Sequence, residues 1–168
     1  MKNKLSSFTN NNLRNVKPYK TSSHKAWELK DSESILKLDW NESTISPSDI
    51  VIKNLINEIK TGRLNWYPDT NNRKLIKLIS EYTGTSVDEV QYFASSDALH
   101  EYIVKAFLNE KEKVLIIAPT YDNFRAVTES CGAVVEYFFL DDKFQLNLSE
   151  LQKYIAKIEP KIVYIVNP

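Results

Sequence analysis

A strand-like run that leads into a polar turn carries the best candidate chemistry in this sequence. The run Val90–Phe93 breaks at Ala94-Ser95-Ser96-Asp97, and an amphipathic run from Ala98 to Leu108 follows directly. A helix that begins in this way directs unpaired backbone N–H groups and the positive end of its dipole into the space above a sheet. The hydroxyls of Ser95 and Ser96 add donors, so the turn suits a phosphate group. The same residues also suit an ordinary helix cap, which the local sequence alone favours.

The composition is that of a soluble globular protein, with 42% hydrophobic and 26% charged residues in 168. This length allows one domain with its own core, or part of a larger one. The 22 basic and 22 acidic residues balance, and dense basic runs are absent. We therefore expect neither a nucleic-acid partner nor a membrane partner.

The single cysteine, Cys131, excludes a disulfide scaffold or a zinc knuckle within the chain, and the sequence predicts no metal site. The start Met1-Lys2-Asn3-Lys4 has no apolar core behind it, so it does not look like a secretory signal. No apolar run is long enough to span a bilayer. A cytoplasmic location is the default expectation.

Before residue 35 the chain is polar and rich in Asn, Ser and Lys, which predicts an extended arm. A first helix is expected from Ser46-Pro47-Ser48-Asp49, with Ser46 as cap and Pro47 at the first helical position. Its apolar stripe includes Ile50, Leu55, Ile56 and Ile59, and it should end at Gly62.

A second helix is expected from about Asn72 to Tyr82, and after it strands and helices alternate. The predicted strands are 90–93, 114–117, 133–139 and 162–166, and the helices between them are 97–109, 121–131 and 149–158. This alternation predicts a three-layer α/β/α fold around a mainly parallel sheet.

All three glycines, Gly62, Gly84 and Gly132, follow predicted helices, where a left-handed residue is often needed. No glycine is left for a Gly-rich nucleotide loop. The sequence therefore argues against Walker-type and dinucleotide-type phosphate binding.

Four segments, in this order and spacing, resemble the fold-type I pyridoxal-phosphate-dependent aminotransferases, and most closely the histidinol-phosphate aminotransferase branch. They are Asn65-Trp66-Tyr67-Pro68-Asp69, Ser95-Ser96-Asp97-Ala98-Leu99, Ala118-Pro119-Thr120-Tyr121-Asp122-Asn123-Phe124 and Tyr164-Ile165-Val166-Asn167-Pro168. In the arm, Asn15-Val16-Lys17-Pro18-Tyr19 and Leu38-Asp39-Trp40-Asn41-Glu42 look like the opening motifs of that branch.

The resemblance implies pyridoxal 5'-phosphate as cofactor, with Ser95, Ser96 and Asp97 in the cup that holds its phosphate. Relatives have a glycine where Ser95 stands and often a glutamate where Ala98 stands. Tyr121 falls on the aromatic residue that stacks on the pyridine ring. By pattern alone, Tyr121 also suits an aromatic residue packed at the sheet edge.

Further roles follow from the same resemblance. Tyr67 falls on the tyrosine that reaches the cofactor phosphate of the partner subunit in a homodimer, although by pattern alone it is an ordinary loop aromatic. Tyr19 and Asn41 match arm positions near the pocket for an amino-acid-type substrate. The branch's Asn-Glu-Asn-Pro reads Asn41-Glu42-Ser43-Thr44 here, so substrate contacts are expected to differ.

The resemblance also implies a domain division. Residues 1–34 would be the arm, 35–62 the start of the small domain with its linking helix, and 63–168 the N-terminal part of the cofactor-binding large domain, truncated at its C-terminal end. The family's Schiff-base lysine falls beyond residue 168, so no catalytic residue is assigned, and residues 1–168 alone are expected not to transaminate.

Three functions remain open from the sequence. The first is a transaminase that moves an amino group between an amino acid or amino-alcohol phosphate and a 2-oxo acid. The second is a pyridoxal-phosphate-dependent decarboxylase of a phosphorylated amino acid. The third is a non-catalytic α/β module that binds a phosphate ligand. An Asn-Pro-Thr-Gly continuation and a later lysine motif in the coding region would favour the enzymes.

Overall fold

The computed structural model describes residues 8–14, 16–19, 28, 35–62 and 64–167. Much of the predicted arm lies outside these residues, so its extended form stays a prediction. Contacts within the chain define two compact units, residues 1–19 with 93–168 and residues 20–92. We describe each unit by itself. The predicted assignment of 1–34, 35–62 and 63–168 to domains of a complete protein stays a prediction.

In the second unit, helix α1 spans Asp49–Thr61 and helix α2 spans Arg73–Thr83. A short 3-10 helix, Val87–Glu89, follows. It begins with a capping box, in which Ser86 N donates to Glu89 Oε2 at 2.9 Å and the Ser86 hydroxyl accepts from Asp88 N at 3.4 Å. These reciprocal bonds satisfy backbone donors that a helix start leaves free.

The described residues of the first unit form a 3-10 helix in the arm and three α-helices and three strands in the later chain. The 3-10 helix is Asn11–Arg14, and the helices are α3 (Ser96–Phe107), α4 (Asn123–Ser130) and α5 (Leu148–Ile158). The strands are β1 (Lys113–Ala118), β2 (Val134–Phe139) and β3 (Ile162–Tyr164). Strands and helices therefore alternate from α3 to β3, as the sequence predicts.

The three described strands form one parallel sheet in the order β2-β1-β3. In the register, Val114 pairs with Val135 of β2 and with Ile162 of β3. Residues Val114 to Ala118 of the central strand are all buried. A continuous apolar run of this kind is typical of a parallel strand covered on both faces.

Helices cover both faces of this sheet. On one face Val104 of α3 and Phe124 of α4 pack with Val114 and Ile116. On the other face Leu115 and Ile117 pack with residues of α5. Because successive side chains of a strand point to opposite faces, one strand supplies both cores. The predicted three-layer α/β/α architecture is confirmed.

The prediction of a strand at Val90–Phe93 is wrong, because this run is extended at Val90 but pairs with no strand among the described residues. Its side chains find other partners: the hydroxyl of Tyr92 accepts a hydrogen bond from Asn72 Nδ2, and the ring of Phe93 lies 5.2 Å from that of Tyr102. The last strand also ends at Tyr164 rather than at Val166.

The predicted start of α1 is wrong by two residues. Ser48, not Ser46, is the N-cap residue, and its side chain makes no capping hydrogen bond. Ser48 is also a residue type that N-cap positions prefer, and it is followed directly by Asp49 in the first turn. The apolar stripe of α1 is exposed, from 68% at Ile50 to 47% at Ile56. Nothing in the described part of the chain buries it.

Two of the three glycine predictions are confirmed. Gly84 ends α2 with φ +70° and Gly132 follows α4 with φ +83°, both left-handed. Gly62 follows α1, as predicted, but it has φ −73° and ψ 162°, which is extended backbone. The prediction of a left-handed residue is therefore wrong at Gly62. Gly62 therefore does not form a left-handed C-cap on α1.

Candidate functional site

Ser95 is the N-cap residue of α3, and its backbone is extended. Its hydroxyl oxygen accepts a hydrogen bond from Ala98 N at 3.2 Å, and its carbonyl accepts one from Leu99 N at 3.2 Å. The capping role that the local sequence favours is therefore confirmed. A hydroxyl that accepts one bond still has its own proton to donate, so capping leaves Ser95 able to bind an anion.

The next residues, Ser96 and Asp97, form the exposed first turn of α3. Their backbone N–H groups precede the first helical hydrogen bond and lie at the positive end of the helix dipole. The hydroxyl of Ser96 lies on the same turn. The turn therefore presents hydrogen-bond donors and a partial positive charge, the combination that binds phosphate.

Tyr121 lies just beyond the buried end of β1, after a cis Ala118–Pro119 peptide bond. Its hydroxyl donates a hydrogen bond to Oδ1 of Asp97 at 3.0 Å. Burial, and then the bond to Asp97, raises the pKa of Tyr121 well above its usual value. The phenol is therefore neutral at physiological pH and remains a hydrogen-bond donor. The residue is still 39% exposed, so it offers surface to a ligand.

The arm reaches the same place through Tyr19. Its ring packs edge-on against the ring of Tyr121, with centroids 5.5 Å apart and planes at 74°. Edge-to-face contact is a favoured arrangement of two aromatic rings. The structure thus brings together Tyr19, Tyr121 and the Ser95-Ser96-Asp97 turn within one unit.

Tyr67 and Asn41 belong to the second unit. Tyr67 is 90% exposed, and Asn41 is exposed in the left-handed region at φ 54°. An exposed tyrosine on a loop is free to meet another molecule, but nothing within this unit assigns it a ligand. The roles predicted for Tyr67 and Asn41 stay predictions.

Sequence reasoning missed Arg125, whose guanidinium is buried on α4. Its Nε donates to Oδ1 of Asp122 at 2.8 Å, and its Nη2 donates to Oδ2 at 2.6 Å. Its Nη1 donates to Oε2 of Glu129 at 2.7 Å. The hydrogen bond with Asp122 is the main cause that raises the pKa of Arg125. The spacing of an acid three residues before and another four residues after an arginine was the available signal.

His100 of α3 was also missed, because nothing in its local sequence indicates that it is buried. It is buried one turn after Asp97, and its ring contacts the rings of Phe124 and Tyr164 edge-on. Burial lowers its pKa, against the attraction of Asp97. Three buried side-chain atoms have no hydrogen-bond partner among the described residues, namely His100 Nδ1, Thr120 Oγ1 and Thr128 Oγ1.

The residues around α3 fit a ligand that carries a phosphate and a flat ring. The first turn of α3 offers hydrogen-bond donors to a phosphate, and Tyr121 offers an exposed aromatic surface beside that turn. The described residues contain no group of three or more side chains suited to hold a metal ion. Nor does any helix among them have the length and apolar character needed to cross a bilayer.

Comparison with known proteins agrees with this geometry. A dihydroxyacetone phosphate transaminase of Campylobacter jejuni is 41% identical over 160 residues, which are 95% of this chain and 43% of that protein. A histidinol-phosphate aminotransferase of Clostridium novyi is 30% identical over 142 residues, 84% of this chain and 40% of that protein. The chain thus spans less than half the length of these relatives.

Among solved structures, the histidinol-phosphate aminotransferase of Sinorhizobium meliloti, crystallised with pyridoxal-5'-phosphate, shares the fold. Its TM-score is 0.69 at 21% identity, over 77% of this chain and 34% of that one. The family model for aminotransferase class I and II matches residues 33–168 of the sequence. The chain belongs to the class I and II aminotransferase family.

Proposed function

We propose that the protein transfers an amino group between an amino acid or amino-alcohol phosphate and a 2-oxo acid, with pyridoxal phosphate as cofactor. In this proposal the described residues form one wall of the active site. The relatives whose names support it are transaminases of phosphorylated compounds, a dihydroxyacetone phosphate and a histidinol phosphate. A phosphorylated substrate is therefore part of the proposal.

One observation carries it: the hydrogen bond between Tyr121 and Asp97. It holds an aromatic ring at the N-terminus of α3, so a surface for the cofactor ring and donors for the cofactor phosphate adjoin. A helix cap alone would not require the aromatic residue, and an aromatic residue at a sheet edge would not require the open helix start. Their conjunction supports a phosphorylated ring as ligand.

The residues divide the work of holding the cofactor. The Ser96 hydroxyl and the N–H groups of Ser96 and Asp97 would bind the phosphate, and Ser95 would keep the turn in shape. Tyr121 would cover one face of the ring and exclude water from it. Asp97 would orient Tyr121. When bound, pyridoxal phosphate acts as an electron sink for the substrate's reacting carbon.

The remaining assignments belong to the same proposal. Tyr67 would contact the cofactor phosphate of a partner subunit in a homodimer, and its high exposure supports that role. Tyr19 and Asn41 would lie on the substrate side. The protein would work in the cytoplasm.

The test uses the protein from its complete coding region. We expect pyridoxal phosphate to produce a saturable absorbance band, and borohydride reduction to attach the cofactor to one lysine outside residues 1–168. We expect a phosphorylated amino donor and a 2-oxo acid to exchange an amino group. Release of carbon dioxide from the donor would favour a decarboxylase, and absence of cofactor binding would leave only a non-catalytic module.

A further inference from the structure

We propose that Arg125 is a positioning residue, whose guanidinium ties the arm to the start of α4 and thereby holds Tyr19 against Tyr121. The importance of the Tyr19–Tyr121 contact for the cofactor site rests on the proposed function. The attachment of the arm by Arg125 does not, and it can be tested by itself.

The argument begins with the burial of the guanidinium. Arg125 is only 8% exposed, and a buried charge is costly unless it is paired. Here the guanidinium of Arg125 contacts the carboxylates of Asp122 and Glu129. Its Nη2 also donates a hydrogen bond to the backbone carbonyl of Lys17 at 3.2 Å. An arginine fork suits this set, since its donors point in fixed directions.

The two ends of this bridge lie next to the two tyrosines. Asp122 directly follows Tyr121, and Lys17 lies two residues before Tyr19. One guanidinium therefore binds the backbone two residues before Tyr19 and the side chain of the residue after Tyr121, on the two sides of the edge-on ring contact. If the bridge is lost, the arm can leave and Tyr121 loses its partner from the arm.

A second attachment lies further back in the arm. Asn12 Nδ2 donates to Glu110 Oε1 at 2.9 Å, and a Cβ placed on Gly132 would lie only 2.7 Å from Asn12 Nδ2. The arm thus packs closely at Asn12, but this contact is seven residues away from Tyr19 in sequence. Asn12 holds the early arm, whereas Arg125 holds the part that places Tyr19.

The sole cysteine of the sequence reports whether the arm is attached. Cys131 is half-buried and lines a cleft of about 580 Å³ together with Leu13 and Val16 of the arm and Val127 of α4. If the arm leaves, the thiol should react faster with a maleimide. The experiment measures the labelling rate of the complete protein, mapped to the Cys131 peptide by mass spectrometry.

We expect Arg125→Met to speed the labelling of Cys131 roughly tenfold, the effect of losing one charge-assisted hydrogen bond. Arg125→Lys should also speed it, because an ammonium cannot reach both carboxylates and the carbonyl. Arg125→Lys keeps the charge and decides the matter if Arg125→Met does not fold. Unchanged rates in the folded Arg125→Lys variant would overturn the proposal.

Two control variants separate this role from general effects. Lys17→Ala should leave the rate unchanged, because Arg125 binds the backbone carbonyl of Lys17 and not its side chain. Arg73→Met removes a guanidinium from the exposed start of α2 and should also have no effect. Acceleration in either control to the level of Arg125→Lys would contradict a specific bridge.

The position of Tyr121 has its own readout. In protein labelled with 3-fluorotyrosine, the signal that disappears in Tyr121→Phe identifies this residue. We expect Arg125→Lys to move that signal toward the value of a solvent-exposed tyrosine, and an unmoved signal would contradict the positioning role. Both measurements need no cofactor, so failure of the proposed function would appear separately, as absent cofactor binding by the wild-type protein.

Discussion

The hydroxyl of Tyr121 lies 3.0 Å from Oδ1 of Asp97, and this hydrogen bond joins the end of β1 to the start of α3. Tyr121 follows the carboxyl end of β1, the end of a parallel strand at which α/β proteins bind ligands. A carboxylate oxygen is a strong hydrogen-bond acceptor. This hydrogen bond joins the aromatic surface of Tyr121 to the first turn of α3, the proposed phosphate site.

Replacing Tyr121 should separate the contribution of its ring from that of its hydroxyl. Tyr121→Leu removes the flat surface, and we expect it to weaken pyridoxal phosphate binding about tenfold or more. Tyr121→Phe keeps the ring and should cost only a few-fold. Absorbance titration of the complete protein measures both. Tyr82→Leu, at a tyrosine that is 91% exposed, is the matched control and should bind like the wild type.

The two serines of the turn should differ in their effects. Ser95→Ala removes the cap on Ala98 N and should lower the free energy of unfolding by about 1 kcal/mol. Ser96→Ala should change it by less than about 0.5 kcal/mol, since the side chain is exposed, yet weaken cofactor binding. Urea unfolding without cofactor and absorbance titration measure the two quantities.

Helix α5 offers a control for the cap. Asn147 accepts from Glu150 N at 3.2 Å, so Asn147→Ala should destabilise like Ser95→Ala and leave cofactor affinity unchanged. Equal cofactor affinity in Ser96→Ala and the wild type would remove Ser96 from the proposed cup.

His100 should make stability depend on pH. Burial lowers its pKa from the ordinary value of 6.5, so the unfolded chain takes up the proton first as the pH falls. Stability therefore declines below about pH 6.5 and is free of this penalty above it. In His100→Phe, which keeps an aromatic ring beside Phe124 and Tyr164, the decline between pH 7 and 5 should be smaller. Urea unfolding at several pH values tests this, and equal slopes would contradict it.

Gly132 and Gly84 should respond differently to the same change. Both have positive φ, so alanine at either position should cost about 1 kcal/mol of backbone strain. At Gly84 nothing lies within 4 Å of the added Cβ, whereas at Gly132 it would collide with Asn12 and Glu110. Gly132→Ala should therefore be the more destabilising in thermal unfolding, and should also speed the labelling of Cys131. Equal destabilisation by Gly132→Ala and Gly84→Ala would mean that Asn12 and Glu110 move away from the added Cβ at little cost, and it would contradict this prediction.

Periodicity predicted the alternating elements from α3 to β3 and the three-layer arrangement, because β1 is apolar from Val114 to Ala118 and the helices are amphipathic. It failed at Val90–Phe93, where the residues suit a strand but pairing depends on a neighbour that the run itself does not specify. The predicted start at Ser46 was wrong because Ser48, two residues later, suits an N-cap equally well. Gly62 does end α1, as predicted, but its backbone is extended rather than left-handed.

The site was predictable where it is local in sequence. Ser95, Ser96 and Asp97 follow from one turn, whereas only the family resemblance placed Tyr121 near the same cofactor. The burial of Arg125 and of His100 was not visible, because it depends on what packs over them. Spacing indicated the acidic partners of Arg125, but no local pattern indicates the carbonyl of Lys17.

The attachment of the arm has a consequence for synthesis. Lys17 and Arg125 are 108 residues apart, and the other pair, Asn12 and Glu110, is 98 residues apart. At roughly 5–20 residues per second, the ribosome needs on the order of 5–20 s to make Arg125 after Lys17. The residues around Asn12 and Lys17 are therefore synthesised before the surface that they dock on exists. Their polar, apolar-poor sequence suits that interval, because it offers little for premature association.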